Sequence, residues 1–289
     1  MSETVIADFV ARFSLDTRES LEPVRGRIVL SQKRLVLAES GSKTTIPLRS
    51  IFDISVGHVP SDLEGFFQDT VTVAYEADDG RHTAVIEAKN DNVGKFKVFL
   101  FKAILSGTPV TVKHPARVGG RVTDQGFETG KLRIQSGSVE FLGIPDPFAV
   151  DLSGVSYFQK QDRDVGGTTR TVVAIRHADN GQTVTSEFVV AADRKLNLLG
   201  RYLRLEYAEI SQQAERIDVT EQEMEALVAI YSGANSGNFA GALGIDAGSA
   251  SMVLTEIEKK GLVNPANDGL SLTPPAKMIV SDRIEKVNT

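Results

Sequence analysis

Four histidines, His58, His82, His114 and His177, are the side chains best suited to moving protons or holding a metal near neutral pH. They are scattered, and no H-E-x-x-H or H-x-x-E-H spacing brings two of them onto one turn of helix. Each reads as a strand-end or loop histidine. The chain has no cysteine, which removes disulfides, thiolate ligands and a thiol nucleophile. It also has no G-x-S-x-G elbow and no phosphate loop, and its glycine-dense segments, such as Gly166-Gly167 and 233–244, fall in turns. Acids are numerous, with surface solvation as their ordinary role. The expectation is a non-enzymatic protein with no catalytic residues, metal or cofactor.

Binding chemistry is better represented. Arg25, Arg27, Lys33 and Arg34 cluster around one short segment, and Lys131 and Arg133 stand in a similar segment further on. Such a cluster can grip a phosphorylated headgroup, or it can solvate strand edges and so prevent aggregation. Phe66 and Phe67 sit together in the loop Leu63–Asp69. They either close one end of a core or offer an aromatic anchor of the kind enriched in binding hot spots. Ser249, Met252 and Glu256 recur at spacings of three and four, so on a helix they share a face. An adaptable methionine among small residues suits contact with a partner's helix. The alternative is that this helix packs against the rest of the chain.

The net charge of −6 over 289 residues is mild, but its distribution is informative. Residues 218–289 carry ten acids against five bases, a net −5. No basic stripe marks a polyanion-binding surface. No apolar run reaches the roughly 18 residues of a membrane-spanning helix. The start, Met1-Ser2-Glu3-Thr4, does not resemble a secretory signal, so a soluble cytoplasmic protein is expected.

The elements that position these groups are written twice. Gly26-Arg27-Ile28-Val29-Leu30 is echoed by Gly130-Lys131-Leu132-Arg133-Ile134, a shift of 104 residues. Ile46-Pro47-Leu48 recurs in the same register as Val150-Asp151-Leu152, and Thr70–Tyr75 recurs at a shift of 100 as Arg170–Ile175. Each copy reads as six or seven short strands closed by an amphipathic helix, a small barrel or sandwich with one end plugged. In the first copy Asn90-Asp91 caps that helix, whose stripe is Phe96, Phe99, Leu100, Ala103 and Ile104. In the second, Asp193 caps a helix striped by Leu196, Leu199, Leu203 and Tyr207. The order of elements resembles the pleckstrin-homology superfold.

A third region follows. Thr220-Glu221-Gln222-Glu223 is a capping box opening a helix, and two more helices, a hairpin turning at Asn267-Asp268-Gly269 and a last helix begun by Pro274 complete it. This is the winged helix-turn-helix plan. A DNA reader would place Arg, Lys, Asn or Gln along the early third helix, where this chain has Ala247-Gly248-Ser249-Ala250-Ser251-Met252. With net −5 and only Asn264, Asn267 and Asp268 at the wing tip, a protein surface is the better reading and DNA is not an expected partner. The fold class is therefore α+β. Two pleckstrin-homology-like domains, 1–107 and 108–212, precede a winged helix at 217–289.

The opening Val5-Ile6-Ala7-Asp8-Phe9-Val10, the Gly26–Leu37 hairpin, Ile46-Pro47-Leu48 and the closing Gly261-Leu262-Val263 resemble the archaeal chemotaxis CheF family over about residues 5–280. The resemblance implies an adaptor connecting the phosphorylated response regulator CheY to switch proteins of the archaellum motor, with contacts to CheC- and CheD-type proteins. It brings no catalytic residues. Rival readings are a winged-helix transcription regulator and a lipid-surface module built on Arg25, Arg27, Lys33 and Arg34.

Overall fold

Alternation of apolar and polar residues makes strands of most of the first 190 residues, while a 3.6-residue apolar period marks the helices. In a computed structural model, residues 3–87, 91–179, 182–266 and 269–287 are described. The chain is mixed α+β, with large antiparallel sheets and a few helices. No helix among the described residues is long and apolar enough to cross a membrane. Contacts gather the chain into two compact units: Met1–Val112 with Glu128–Phe148 and Phe188–Leu205, and Lys113–Phe127 with Ala149–Glu187 and Glu206–Thr289.

The first sheet comprises β1 (Val5–Leu15), β2 (Val24–Ser31), β3 (Arg34–Glu39), β4 (Ser42–Pro47), β5 (Ile51–Val56), β6 (Thr70–Ala77) and β7 (Gly80–Glu87). Its strand order is β4-β3-β2-β1-β7-β6-β5. The expected hairpin forms, with Ile28 opposite Leu37 and Leu30 opposite Leu35. All four are buried, while Arg27 and Val29 point to the other face. Of the expected barrel or sandwich, a closed barrel does not form; the sheet is open, ending at β4 and β5. Pro47 ends β4 without an amide to donate, and a 3-10 turn at Leu48–Ser50, tied by Leu48 N to Lys33 O at 2.8 Å, carries the chain away. Helix α1 (Asp91–Leu105) packs on β1 and on that turn.

Next come β8 (Pro109–Val118), β9 (Arg121–Val122), β10 (Glu128–Gln135), β11 (Ser138–Leu142), β12 (Phe148–Asp151), β13 (Val155–Asp164), β14 (Thr169–Asp179) and β15 (Gln182–Val190). Their sheet order is β12-β11-β10-β8-β15-β14-β13, with β9 on β8. Helix α2 spans Asp193–Glu215. Within the first unit α1 also packs on β10, so its buried stripe is wider than expected. Phe101 and Leu105 are buried along with Phe96, Leu100 and Ile104, whereas Phe99 faces outward. On α2, Tyr202 takes the buried place expected of Tyr207, its ring 5.4 Å from Phe101 and its hydroxyl donating to Gln135 O at 2.5 Å. The expected cap residue Asn90 and turn residues Asn267 and Asp268 lie outside the described residues.

The C-terminal region holds α3 (Glu221–Tyr231), α4 (Phe239–Leu243), α5 (Ala247–Lys259), the β16 (Val263–Ala266) and β17 (Gly269–Leu272) hairpin, and α6 (Pro274–Val287). Leu227, Ile230, Phe239, Val253, Ile257 and Val280 lie in one core. The capping box at Thr220 and Glu223 forms as expected. Burial pushes the Glu223 carboxyl up, but Lys260 Nζ at 2.7 Å and the Thr220 amide outweigh that and hold it below its ordinary value.

The echoed glycines have a steric cause. A β-carbon at Gly26 would stand 2.2 Å from Ala38 O and 2.7 Å from the Phe13 ring; at Gly130 it would stand 2.6 Å from Leu142 O and 2.9 Å from Ile144 Cγ2. In both places the partner strand's carbonyl occupies the side-chain position. Gly26→Ala is expected to cost about 2–4 kcal/mol in urea unfolding, because backbone has to move. Gly65→Ala, whose β-carbon meets nothing within 4 Å, is expected to stay within about 0.5 kcal/mol of the parent. Equal stability of the two variants would contradict the steric reading.

Candidate interaction surfaces

The basic hairpin is less basic than its sequence. Arg27 donates to both carboxylate oxygens of Asp8 on β1, at 2.8 and 2.6 Å, and this pairing holds Asp8 below its ordinary pKa. Arg34 donates to Glu3 at 2.7 Å, and hydrogen bonds from Ser31 and Arg34 lower the Glu3 pKa likewise. Both acids lie at least 19 residues from their partners in sequence, so only strand pairing shows them. Arg25 and Lys33 remain exposed and, among the described residues, make no ion pair. Half of the cluster is thus neutralised from within.

The two aromatics part company. Phe67 is 4% exposed and packs with Leu63 and Val85, fulfilling the core reading, whereas Phe66 is 43% exposed, as an anchor would be. The residue that joins this loop to the basic strand was missed in the sequence. Arg12 on β1 stands opposite Arg25, reaches Phe66 O and Glu87 Oε1 at 3.3 Å each, and lies 5.4 Å from the Phe67 ring centroid. Its position in a strand gave no sign of this, because the loop is 54 residues away.

On α5, Met252 is 68% exposed and Glu256, also exposed, pairs with Lys259 at 2.8 Å. Ser249 does not join them as a free contact. It is half-buried, and its hydroxyl donates to Asp246 Oδ2 at 2.6 Å, completing the N-cap of α5. These bonds hold the Asp246 carboxyl below its ordinary range. Met252 and Glu256 are what remains of the expected face.

Two of the scattered histidines meet inside the second unit. His114 on β8 and His177 on β14 stack with ring centroids 5.9 Å apart, and Ser186 on β15 lies between them. Its Oγ is 2.7 Å from His114 Nδ1 and 2.9 Å from His177 Nε2. The proton positions follow. His177 Nδ1 faces the Ala178 carbonyl at 3.2 Å, so it carries the N–H and leaves Nε2 to accept the Ser186 proton. Ser186 in turn accepts from His114 Nδ1–H, leaving His114 Nε2 toward Asp179 at 3.7 Å. A hydroxyl on an imidazole is how serine nucleophiles are activated, but Ser186 is wholly buried and reaches no solvent. The cluster organises the sheet interior. A cleft of about 410 Å³ adjoins it, lined in part by Asp151, Asp179, Tyr231 and Lys277. Lys277 Nζ bonds Asp151 Oδ2 at 2.5 Å, so two of the charges that line the cleft face each other. Among the described residues no group of three or more His, Asp or Glu is placed to hold a metal.

Burial, with the neighbouring His177 second, pushes His114 down to about 4, and burial also lowers His177. A histidine held neutral when folded but free to protonate when unfolded stabilises fully above the unfolded value of about 6.5. That stability is lost progressively as pH falls from 6.5 toward 4. His82 acts oppositely, since its hydrogen bond to Asp79 raises its pKa. Tm is therefore expected to fall more steeply between pH 7 and 5 for the parent than for His114→Asn, whose amide nitrogen takes the place of Nδ1 toward Ser186. Identical slopes would count against the buried neutral pair.

Three comparisons bear on this chain. The model of the family described as archaeal chemotaxis signal transduction system protein F matches residues 5–209. Two relatives come from Halobacterium salinarum. The taxis protein CheF2 is 46% identical over 288 residues, covering 100% of both chains. The taxis protein CheF1 is 29% identical over 223 residues, 77% of this chain and 74% of that one. Among solved structures, the inner membrane complex sub-compartment protein 3 of Toxoplasma gondii gives a TM-score of 0.26 at 13% identity, covering 42% of this chain and 88% of its own. The Spt16D Pob3N heterodimer gives 0.24 at 12%, covering 65% and 97%. At these TM-scores neither likeness bears on function.

Proposed function

The chain belongs to the family of archaeal chemotaxis signal transduction system protein F, and from that premise we propose that it is a non-enzymatic cytoplasmic adaptor. It binds the phosphorylated response regulator CheY and the switch proteins of the archaellum motor, with CheC- and CheD-type proteins as further partners. A chemotaxis signalling role follows from the family itself. The observation that carries the finer reading is the end-to-end 46% identity to a taxis protein, together with a surface whose exposed groups suit protein contacts. The proposal includes three domains, at about 1–107, 108–212 and 217–289, the first two pleckstrin-homology-like and the third a winged helix. Supporting it, the strand orders β4-β3-β2-β1-β7-β6-β5 and β12-β11-β10-β8-β15-β14-β13 follow one plan, each with a side-chain-excluding glycine at the echoed position.

The C-terminal region is read as a protein-binding surface through Met252 and Glu256, with Phe66 and Arg25 on the first unit as a second contact. The exposed flank of α5 offers a thioether and a carboxylate where a DNA reader needs several cations. The lipid reading draws on Arg25 and Lys33 alone, since Arg27 and Arg34 are already paired.

The test is recovery of the regulator, phosphorylated and unphosphorylated, and of the motor switch proteins on the immobilised full chain. Met252→Glu adds a charge to the proposed face while sparing the core, and is expected to weaken regulator or switch binding by about tenfold. Retention of neither protein by the parent would end the adaptor reading. Flotation with anionic liposomes that is lost on Arg25→Glu with Lys33→Glu would favour the lipid surface. Tight, salt-sensitive capture of duplex DNA would favour the regulator of transcription.

A further inference from the structure

Helices α3, α4 and α6 leave a groove between them that the core of this region does not fill. Its volume is about 710 Å³, and its floor is apolar, formed by Met224, Val228, Ala229, Leu243 and Ile284. Met224, Val228, Ala229 and Leu243 are half-buried and Ile284 is 36% exposed, so water rests on apolar surface here. Covering such half-buried side chains with another apolar surface is favourable, because it removes them from water. The rim is acidic: Glu221 and Glu225 are exposed on successive turns of α3. Arg283 stands 4.0 Å from Glu221, and both side chains are well exposed, so water and salt screen that pair. Among the described residues, Glu225 makes no ion pair.

We propose that this groove receives an amphipathic helix of a partner protein, seated by its apolar stripe and flanked by Lys or Arg that meet Glu225 and Glu221. Each feature of the site excludes another occupant. All the walls are helices, so no strand edge is offered for an extended peptide to pair with. The carboxylates of the rim repel nucleic acid and anionic lipid. The floor lacks the buried, converging polar groups that orient a small molecule. The α3 wall runs from Glu221 to Ala229, roughly 12 Å at 1.5 Å per residue, which spans a ligand helix's anchors at i, i+3 or i+4, and i+7. This surface is separate from the Met252 face, and it rests on the adaptor reading only in that the occupant is another protein.

The experiment places a benzoyl-phenylalanine crosslinker at Ile284 of the full chain in cells of the source organism, with Glu258 on α5 as the control position. Mass spectrometry then identifies the captured segment. The expected product is a segment of another protein with apolar residues at helical spacing and flanking Lys or Arg. Adding Glu225→Lys is expected to cut its yield by about tenfold, through like-charge repulsion, with the helical circular dichroism unchanged. Four outcomes overturn the proposal: capture no greater than at Glu258, capture of this same chain, capture of an acidic or non-helical segment, or a yield insensitive to Glu225→Lys. A basic helix captured from a protein unconnected with taxis would uphold the groove and count against the adaptor reading. Failure to retain regulator and switch proteins while the crosslink persists would do the same.

Discussion

At position 26 the carbonyl of Ala38 stands where any other residue would carry its β-carbon, and at position 130 the carbonyl of Leu142 does so again. That close approach is the constraint on which the first unit depends. It lets β3 lie hard against β2 and lets the Phe13 ring settle over the gap, so Phe13, Ile28, Leu35 and Leu37 bury almost completely. Burying such side chains contributes about 1.5–3 kcal/mol each, which is what makes an open sheet of seven strands worth ordering. With the sheet's apolar face formed in this way, α1 covers it from one side and meets β10 on its own other side. Arg194 and Arg201 of α2 then reach the same sheet, donating to Leu48 O at 3.2 Å and to Asp53 Oδ2 at 3.0 Å.

What the residues made legible were features whose cause is local. The capping box at Thr220 and the hairpin at Ile28 and Leu37 depend on neighbours a few positions away. Periodicity could also place helices, but it could not say how many sides of a helix are covered. Phe99 was therefore expected inside but faces outward, and Tyr207 is only half-buried, while Phe101 and Tyr202 are buried. The barrel failed for a related reason: strand count and length do not specify whether the two edge strands meet. The least legible group was the histidine pair, since 63 residues separate His114 from His177 and the serine between them carries no motif. Only the strand order brings them together.

Electrostatics in the folded chain mostly consume themselves. Arg12 serves Glu87, Arg27 serves Asp8, Arg34 serves Glu3, Arg163 serves Glu187 and Lys260 serves Glu223. The Arg27–Asp8 and Arg34–Glu3 pairs are exposed and contribute little stability, whereas Glu87, Glu187 and Glu223 are buried carboxylates that need their partners; all five pairs set what a partner meets. A phosphate or headgroup competing for Arg27 or Arg34 must first displace a carboxylate already bonded to it. A count of bases along a sequence therefore overstates the attraction of the surface for polyanions, most of all where strand pairing hides the acids.

Recognition is thus left to the groups that the fold does not pair. Phe66, Met252 and Ile284 are large, apolar and open to water. Each gains from being covered, because transfer of apolar surface out of water is favourable and needs no displaced counter-ion. The adaptor role proposed above requires more than one protein to be held, and partners that read charge alone would compete for the same self-neutralised sheet face. Apolar anchors set on separate elements, a loop after β5, the exposed flank of α5 and the end of α6, avoid that competition. Their surroundings add selectivity: Arg25, on the strand beside Arg12 and without an ion pair among the described residues, favours an acidic neighbour, while Glu225 and Glu221 beside Ile284 favour a basic one. On that proposal the same chain presents contacts of opposite charge preference on separate elements.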